Sequence, residues 1–166
     1  APPLRKKEDN VALINAIKDN TVDVVATDHC PFMLEQKLEG IGDFSKAPGG
    51  VAGVEERVML MFTNMVSTGQ ITENEFVKIM CENPAKIFGM YPKKGTLTIG
   101  SDADIVIINP NNKSKIKREN LHSNCDYSIY EGFDVSCSID NVFLRGKTIV
   151  KDGEFVGEKG YGKFIK

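Results

Sequence analysis

Apolar residues recur along this chain with two different periods, and the change from one to the other divides it. Near the start, Val11, Ile14 and Ile17 fall on one face of a predicted helix, and Asn20 supplies a stop signal. Residues 22–26 form a short, mostly apolar run that reads as a buried strand. The polar, glycine-rich stretch 30–50 that follows shows no clear period and reads as a long loop, a length that usually marks function or disorder. Helical spacing returns from Gly53 through Val54, Val58, Met61 and Met65 to a glycine stop at Gly69. Thr72 with Glu75 forms a capping-box pattern that opens a third helix through Phe76, Ile79 and Met80, and Pro84 suits the first turn of a short fourth helix over 85–88.

Beyond Tyr91 the period shortens. Strands are predicted over 96–99, 104–108, 141–144, 147–150 and 154–156; Arg145-Gly146 and Asp152-Gly153 have the composition of hairpin turns. The boundary drawn from this change puts residues 1–90 in one unit and 91–166 in an all-β one. The helices of the first unit carry more apolar surface than one strand could cover, so that unit reads as a piece of a larger (β/α)-barrel, and the fold class as α/β.

Composition narrows the function classes. A chain of 166 residues with a formal net charge of −2 offers no basic surface for nucleic acid or membrane. No stretch approaches the roughly 20 apolar residues that span a bilayer, so a cytoplasmic protein is expected. Cys30, Cys81, Cys125 and Cys137 lack paired spacing and read as free thiols. His29 and His122 are the only histidines, which limits the metal chemistry available to this polypeptide. His122 lies in a charged segment and reads as a surface residue.

The candidate chemistry sits at Ala26-Thr27-Asp28-His29, where the apolar run gives way to the long loop. A carboxylate at the end of a buried strand is where (β/α)-barrels keep catalytic groups. Taken alone, such an aspartate is more often a turn or cap residue. A second pattern, Gly95-Thr96-Leu97-Thr98-Ile99-Gly100-Ser101-Asp102-Ala103-Asp104-Ile105-Val106-Ile107, reads as a β-hairpin in which Asp102 and Asp104 are structural. The same segment resembles the β-sandwich signature of the amidohydrolase superfamily. Asn83-Pro84-Ala85-Lys86-Ile87-Phe88-Gly89-Met90-Tyr91-Pro92-Lys93-Lys94-Gly95, Asp43-Phe44-Ser45-Lys46-Ala47-Pro48, Asp126-Tyr127-Ser128-Ile129-Tyr130-Glu131-Gly132 and Gly160-Tyr161-Gly162-Lys163-Phe164 resemble its dihydropyrimidinase/hydantoinase branch.

The resemblance covers essentially the whole chain in order. It implies the C-terminal part of a (β/α)8 TIM-like metal-dependent hydrolase barrel plus part of a composite β-sandwich domain. Such enzymes open dihydropyrimidines or 5-substituted hydantoins to N-carbamoyl amino acids, with two divalent metal ions, zinc in most members, and assemble as homo-oligomers, typically tetramers. Among the family's ligands, which are an early His-x-His, a carbamylated lysine, two later histidines and one aspartate, the resemblance assigns only the aspartate to this chain. Asp28 is thereby implied as both metal ligand and catalytic acid/base. His29 has two readings of equal weight, support of the site from beside the ligand or a cap for the loop. Gly49 stands where the family often has an asparagine that contacts the cyclic imide through its backbone, so it is the substrate-binding candidate; glycine there also suits allantoinase- and dihydroorotase-like relatives. The expectation is that the chain by itself is inactive and binds no metal. The competing readings are a non-catalytic scaffold of the collapsin-response-mediator type, which the Asp28-His29-Cys30 run disfavours, and an independent structural β-domain.

Overall fold

The computed structural model describes residues 4–165. The α-helices precede residue 88, and one 3-10 turn, Arg118–Asn120, follows among the strands. α1 (Lys7–Lys18) ends where Asn20 takes a positive φ of 62°. α2 (Leu34–Leu38) is short. α3 (Glu56–Met61) runs on into a π-helical turn, Phe62–Val66. α4 (Glu73–Val77) continues through a second π turn, Lys78–Glu82, directly into α5 (Asn83–Ile87). The third and fourth predicted helices are thus one continuous helix. Pro84 lacks an N–H and its ring crowds the carbonyl one turn back, and the wider π turn just before it accommodates both.

Strands follow. β1 (Ile105–Asn109), β4 (Ser138–Leu144), β5 (Lys147–Lys151) and β6 (Glu154–Phe155) form an antiparallel sheet in the order β1-β4-β5-β6, and β2 (Ser114–Lys115) pairs β3 (Asp134–Val135). β4 and β5 pair from Leu144 opposite Lys147, with Arg145 and Gly146 between them at φ 49° and 78°. Two positive φ values give the turn whose twist suits a hairpin, and only glycine adopts one without steric cost.

Two predicted strands are not strands. Residues 22–26 are not in a strand ladder; Val22 N–H donates to the Ala16 carbonyl at 2.9 Å, and two of their carbonyls accept from side chains, Asn83 Nδ2 donating to that of Asp23 at 2.9 Å and Arg57 Nη1 to that of Val25. Residues 96 and 97 are irregular, 98 is a bend and 99 enters a turn, with Leu97 and Ile99 exposed. A period-2 pattern commits a segment to a strand only when a neighbour supplies ladder bonds, and none of the described residues does so here. The long loop holds α2 and a 3-10 turn, Phe44–Lys46, where no element was predicted.

Helices and strands share one core. Phe62, Met65, Ile71, Phe76, Ile79, Met80 and Cys137 are buried together, with Ile14, Ile17, Val25 and Ile108 packed against them. The Phe62 and Phe76 rings meet edge to face at 5.7 Å. The four cysteines are free thiols, and burial pushes the Cys137 thiol upward in pKa.

Candidate functional site

Asp28 lies just past residues 22–26 in the left-handed region, at φ 46°. Aspartate tolerates this conformation better than most residues, and there it turns the chain sharply. The consequence is a division of labour. The Asp28 side chain stays exposed while the next two residues turn inward. His29 Nδ1 accepts from the N–H groups of Gly53 and Val54 at 3.1 and 3.3 Å, where the chain enters α3. The imidazole therefore caps that helix start through Nδ1. Cys30 N–H donates to the Val51 carbonyl at 3.0 Å.

These bonds draw the far end of the long loop onto the Asp28 corner. Gly50 has φ +85°, and a Cβ there would lie 2.7 Å from Cys30 Cβ and Sγ and 3.9 Å from the Asp28 carbonyl oxygen. Glycine is required at that approach for space as well as conformation. Gly49, exposed, precedes it. Asp28, His29 and Gly49, 21 residues apart in sequence at the extremes, thus belong to one surface region.

The loop between them is fixed from two sides. Asp126 Oδ1 accepts from Leu34 N–H at 2.8 Å at the start of α2, and Cys125 Sγ donates to the Phe32 carbonyl at 3.0 Å. Lys37, on α2, donates from Nζ to the carbonyls of Pro48 and Gly50 and lies over the Phe32 ring, 5.0 Å from its centroid. The start of α3 is held to the same 122–128 segment. Glu55 accepts from His122 N–H and Nδ1, each at 2.8 Å, and buried Glu56 accepts from Ser128 Oγ at 2.9 Å. His122 is exposed as expected, yet bound at one ring nitrogen.

Lys37, Glu55, Glu56 and Asp126 are the supporting residues that sequence reasoning missed. Only Asp126 carried a signal, within the Asp126-to-Gly132 motif. Asp102 and Asp104 are structural: both bond Lys94, the former at 2.8 Å, and Asp104 Oδ1 also accepts from Arg145 N–H at 2.8 Å. Burial pulls the Lys94 ammonium down in pKa, but the two carboxylates prevail and raise it, while Lys94 lowers that of Asp102.

Among the described residues no group of three or more His, Cys, Asp or Glu side chains converges to hold an ion. A tight divalent site takes about three or four protein ligands, so the residues around Asp28 do not fit one by themselves. What they can supply is one exposed carboxylate, able to bind a cation or move a proton, and, on the turn that meets the same corner, a backbone N–H and C=O at Gly49 able to read an amide. No helix among the described residues is long and apolar enough to cross a membrane.

A model of the amidohydrolase family matches residues 3–149. D-phenylhydantoinase of Escherichia coli O139:H28 (strain E24377A / ETEC) is 45% identical over 167 residues, spanning 100% of this chain and 36% of the relative. D-hydantoinase (dihydropyrimidinase) from Thermus sp. superposes with a TM-score of 0.96 at 44% identity over 98% of this chain and 36% of that one. L-hydantoinase (dihydropyrimidinase) from Arthrobacter aurescens gives 0.92 at 36% identity, over 99% and 36%. The chain spans about a third of the length of the curated relatives it matches. Its architecture is that of the C-terminal portion of their TIM-barrel fold.

Proposed function

The chain belongs to the amidohydrolase family, and from that premise we propose that it is part of an enzyme that opens cyclic amides, dihydropyrimidines or 5-substituted hydantoins, to N-carbamoyl amino acids. The observation that carries the reading is the packing of Gly50 against Cys30 and the Asp28 carbonyl, which brings the Gly49-Gly50 turn to the corner from which the exposed Asp28 side chain projects.

In this reading the Gly49 N–H and C=O bind the ring's amide edge and orient it. Asp28 takes the proton from the attacking water on one carboxylate oxygen and returns it to the leaving ring nitrogen. His29, held through Nδ1, fixes the backbone on which Asp28 stands and supports the site from beside it. Family membership points to a divalent metal in the full-length enzyme; two ions, zinc in our reading, belong to the proposal. When bound they lower the pKa of water and polarise a carbonyl. Asp28 is the one ligand this chain contributes, so the chain alone binds neither ion tightly and has no turnover. A cytoplasmic homo-tetramer completes the proposal, together with a division at residues 90 and 91 between a helical and a strand-bearing part that share the core formed with Cys137 and Ile108.

Replacement of Asp28 by Asn in the full-length protein tests it. The amide removes charge and proton acceptance together, and turnover of dihydrouracil and hydantoin falls by about a thousandfold or more with the fold intact by circular dichroism. Retention of more than about a tenth of wild-type turnover at equal metal content would sink the assignment.

A further inference from the structure

Lys37 places its ammonium against two carbonyls that bracket Gly49, those of Pro48 and Gly50, while Phe32 packs on its other side. A trans peptide is planar, with C=O and N–H pointing in opposite directions. Holding the Pro48 oxygen against Nζ therefore turns the N–H of Gly49, the other half of the same peptide, away from the lysine. A cation on that oxygen also polarises the peptide and strengthens the N–H as a donor. The lysine is half-buried, and its helix is anchored at the opposite end by Asp126. The turn it grips is a glycine pair, which has the most conformational freedom to lose and no side chain of its own to restrain it.

We propose that Lys37 is a positioning residue of the ring-opening reaction: its clamp on the Pro48 and Gly50 carbonyls presents the Gly49 N–H to a carbonyl oxygen of the cyclic amide. The inference rests on the ring-opening reading above and deepens it, assigning part of substrate recognition to a side chain that touches neither substrate nor Asp28. Its effect is on binding of the ring more than on the proton transfers.

Steady-state kinetics of the full-length protein on dihydrouracil and hydantoin test this, with Lys37→Met and Lys37→Arg, alongside amide hydrogen exchange of residues 49–51. Losing charge-assisted bonds that hold the turn, Lys37→Met raises KM by about tenfold or more while kcat stays within about threefold, and exchange at 49–51 accelerates by about tenfold or more. Lys37→Arg, which keeps charge and donors, returns KM to within about threefold of wild type. Should Lys37→Met fail to fold, Lys37→Gln, which keeps one donor pair, is read against the same criteria. An unchanged KM, a loss confined to kcat, equal losses in Met and Arg variants, or unchanged exchange at 49–51 overturns the role of Lys37 and leaves the ring-opening reading standing. A wild type without turnover on either ring overturns both.

Discussion

Gly50 concentrates the geometry of the site in one position. Its φ of +85° and its contact with Cys30 leave no room for a Cβ. Gly50→Ala is expected to cost about 1–3 kcal/mol, from backbone strain and overpacking together, read as a lowered denaturant midpoint at unchanged m. A midpoint equal to wild type would show that the turn can separate from Cys30 freely. Of the residues that build this corner, Asp28 stood out in the sequence as a carboxylate closing an apolar run, a position that by itself suggests a turn, and only the family resemblance implied a role in the chemistry. Lys37 did not stand out: its partners are backbone carbonyls 11 and 13 residues further on, which leave no mark in the side-chain sequence. Glu56 was hidden for another reason. Glu55-Glu56-Arg57 looks like a solvated helix start, and only Ser128, 72 residues away, makes one of those carboxylates internal.

Among the elements, those whose determinants are local were the most readable. The box at the start of α4 has Thr72 Oγ1 accepting from Glu75 N–H at 3.2 Å and the Glu75 carboxylate accepting from Thr72 N–H at 2.8 Å. Thr72→Ala is expected to lower stability by about 1 kcal/mol, the usual cost of an N-cap. The backbone bond from Thr72, followed by its hydroxyl, lowers the Glu75 pKa. A carboxylate depressed in the folded state stabilises above its unfolded pKa, about 4.3, and ceases to do so as pH falls through the lowered value. Melting temperatures of Glu75→Gln and wild type therefore differ at pH 7 and converge in acid; a gap that persists at pH 2 would contradict the assignment. The hairpin turns at Arg145-Gly146 and Asp152-Gly153 were readable for the same reason. Residues 22–26 and 96–99 were misread as strands because a strand is a property of a pair. α2 escaped notice because five residues are too few to display a period. The join of α4 to α5 was obscured by Pro84, whose usual meaning as a helix start the preceding π turn overrides.

For the whole molecule, the decisive fact is that the helical and strand-bearing parts do not have separate interiors. Cys137, fully buried, and Ile108 lie against the cluster of Phe62, Phe76 and Met80. Phe62→Ala is expected to cost about 3–5 kcal/mol and to lower one shared unfolding transition. Helical ellipticity and hydrogen-exchange protection of β4 are expected to be lost at the same denaturant concentration, as for a two-state unit. Loss of the helical signal with β4 still protected would show two cores. The sequence pattern assigned these residues to their elements but not to each other, because it carries period without partner. It did carry the excess of apolar helix surface, seen in the exposed Ile87 and Phe88.

The anchoring of the long loop has a consequence in time. Phe32 and Leu34 are fixed by Cys125 and Asp126, 93 and 92 residues downstream. A ribosome adding about 5–20 residues per second takes roughly 5–20 s to traverse that interval. During that time the helices from α3 to α5 are synthesised, while α2 still lacks the carboxylate at its first turn. The loop beside Asp28 is therefore moored only after the helices from α3 to α5 have been made, and a pause or truncation before residue 125 leaves it without those two anchors.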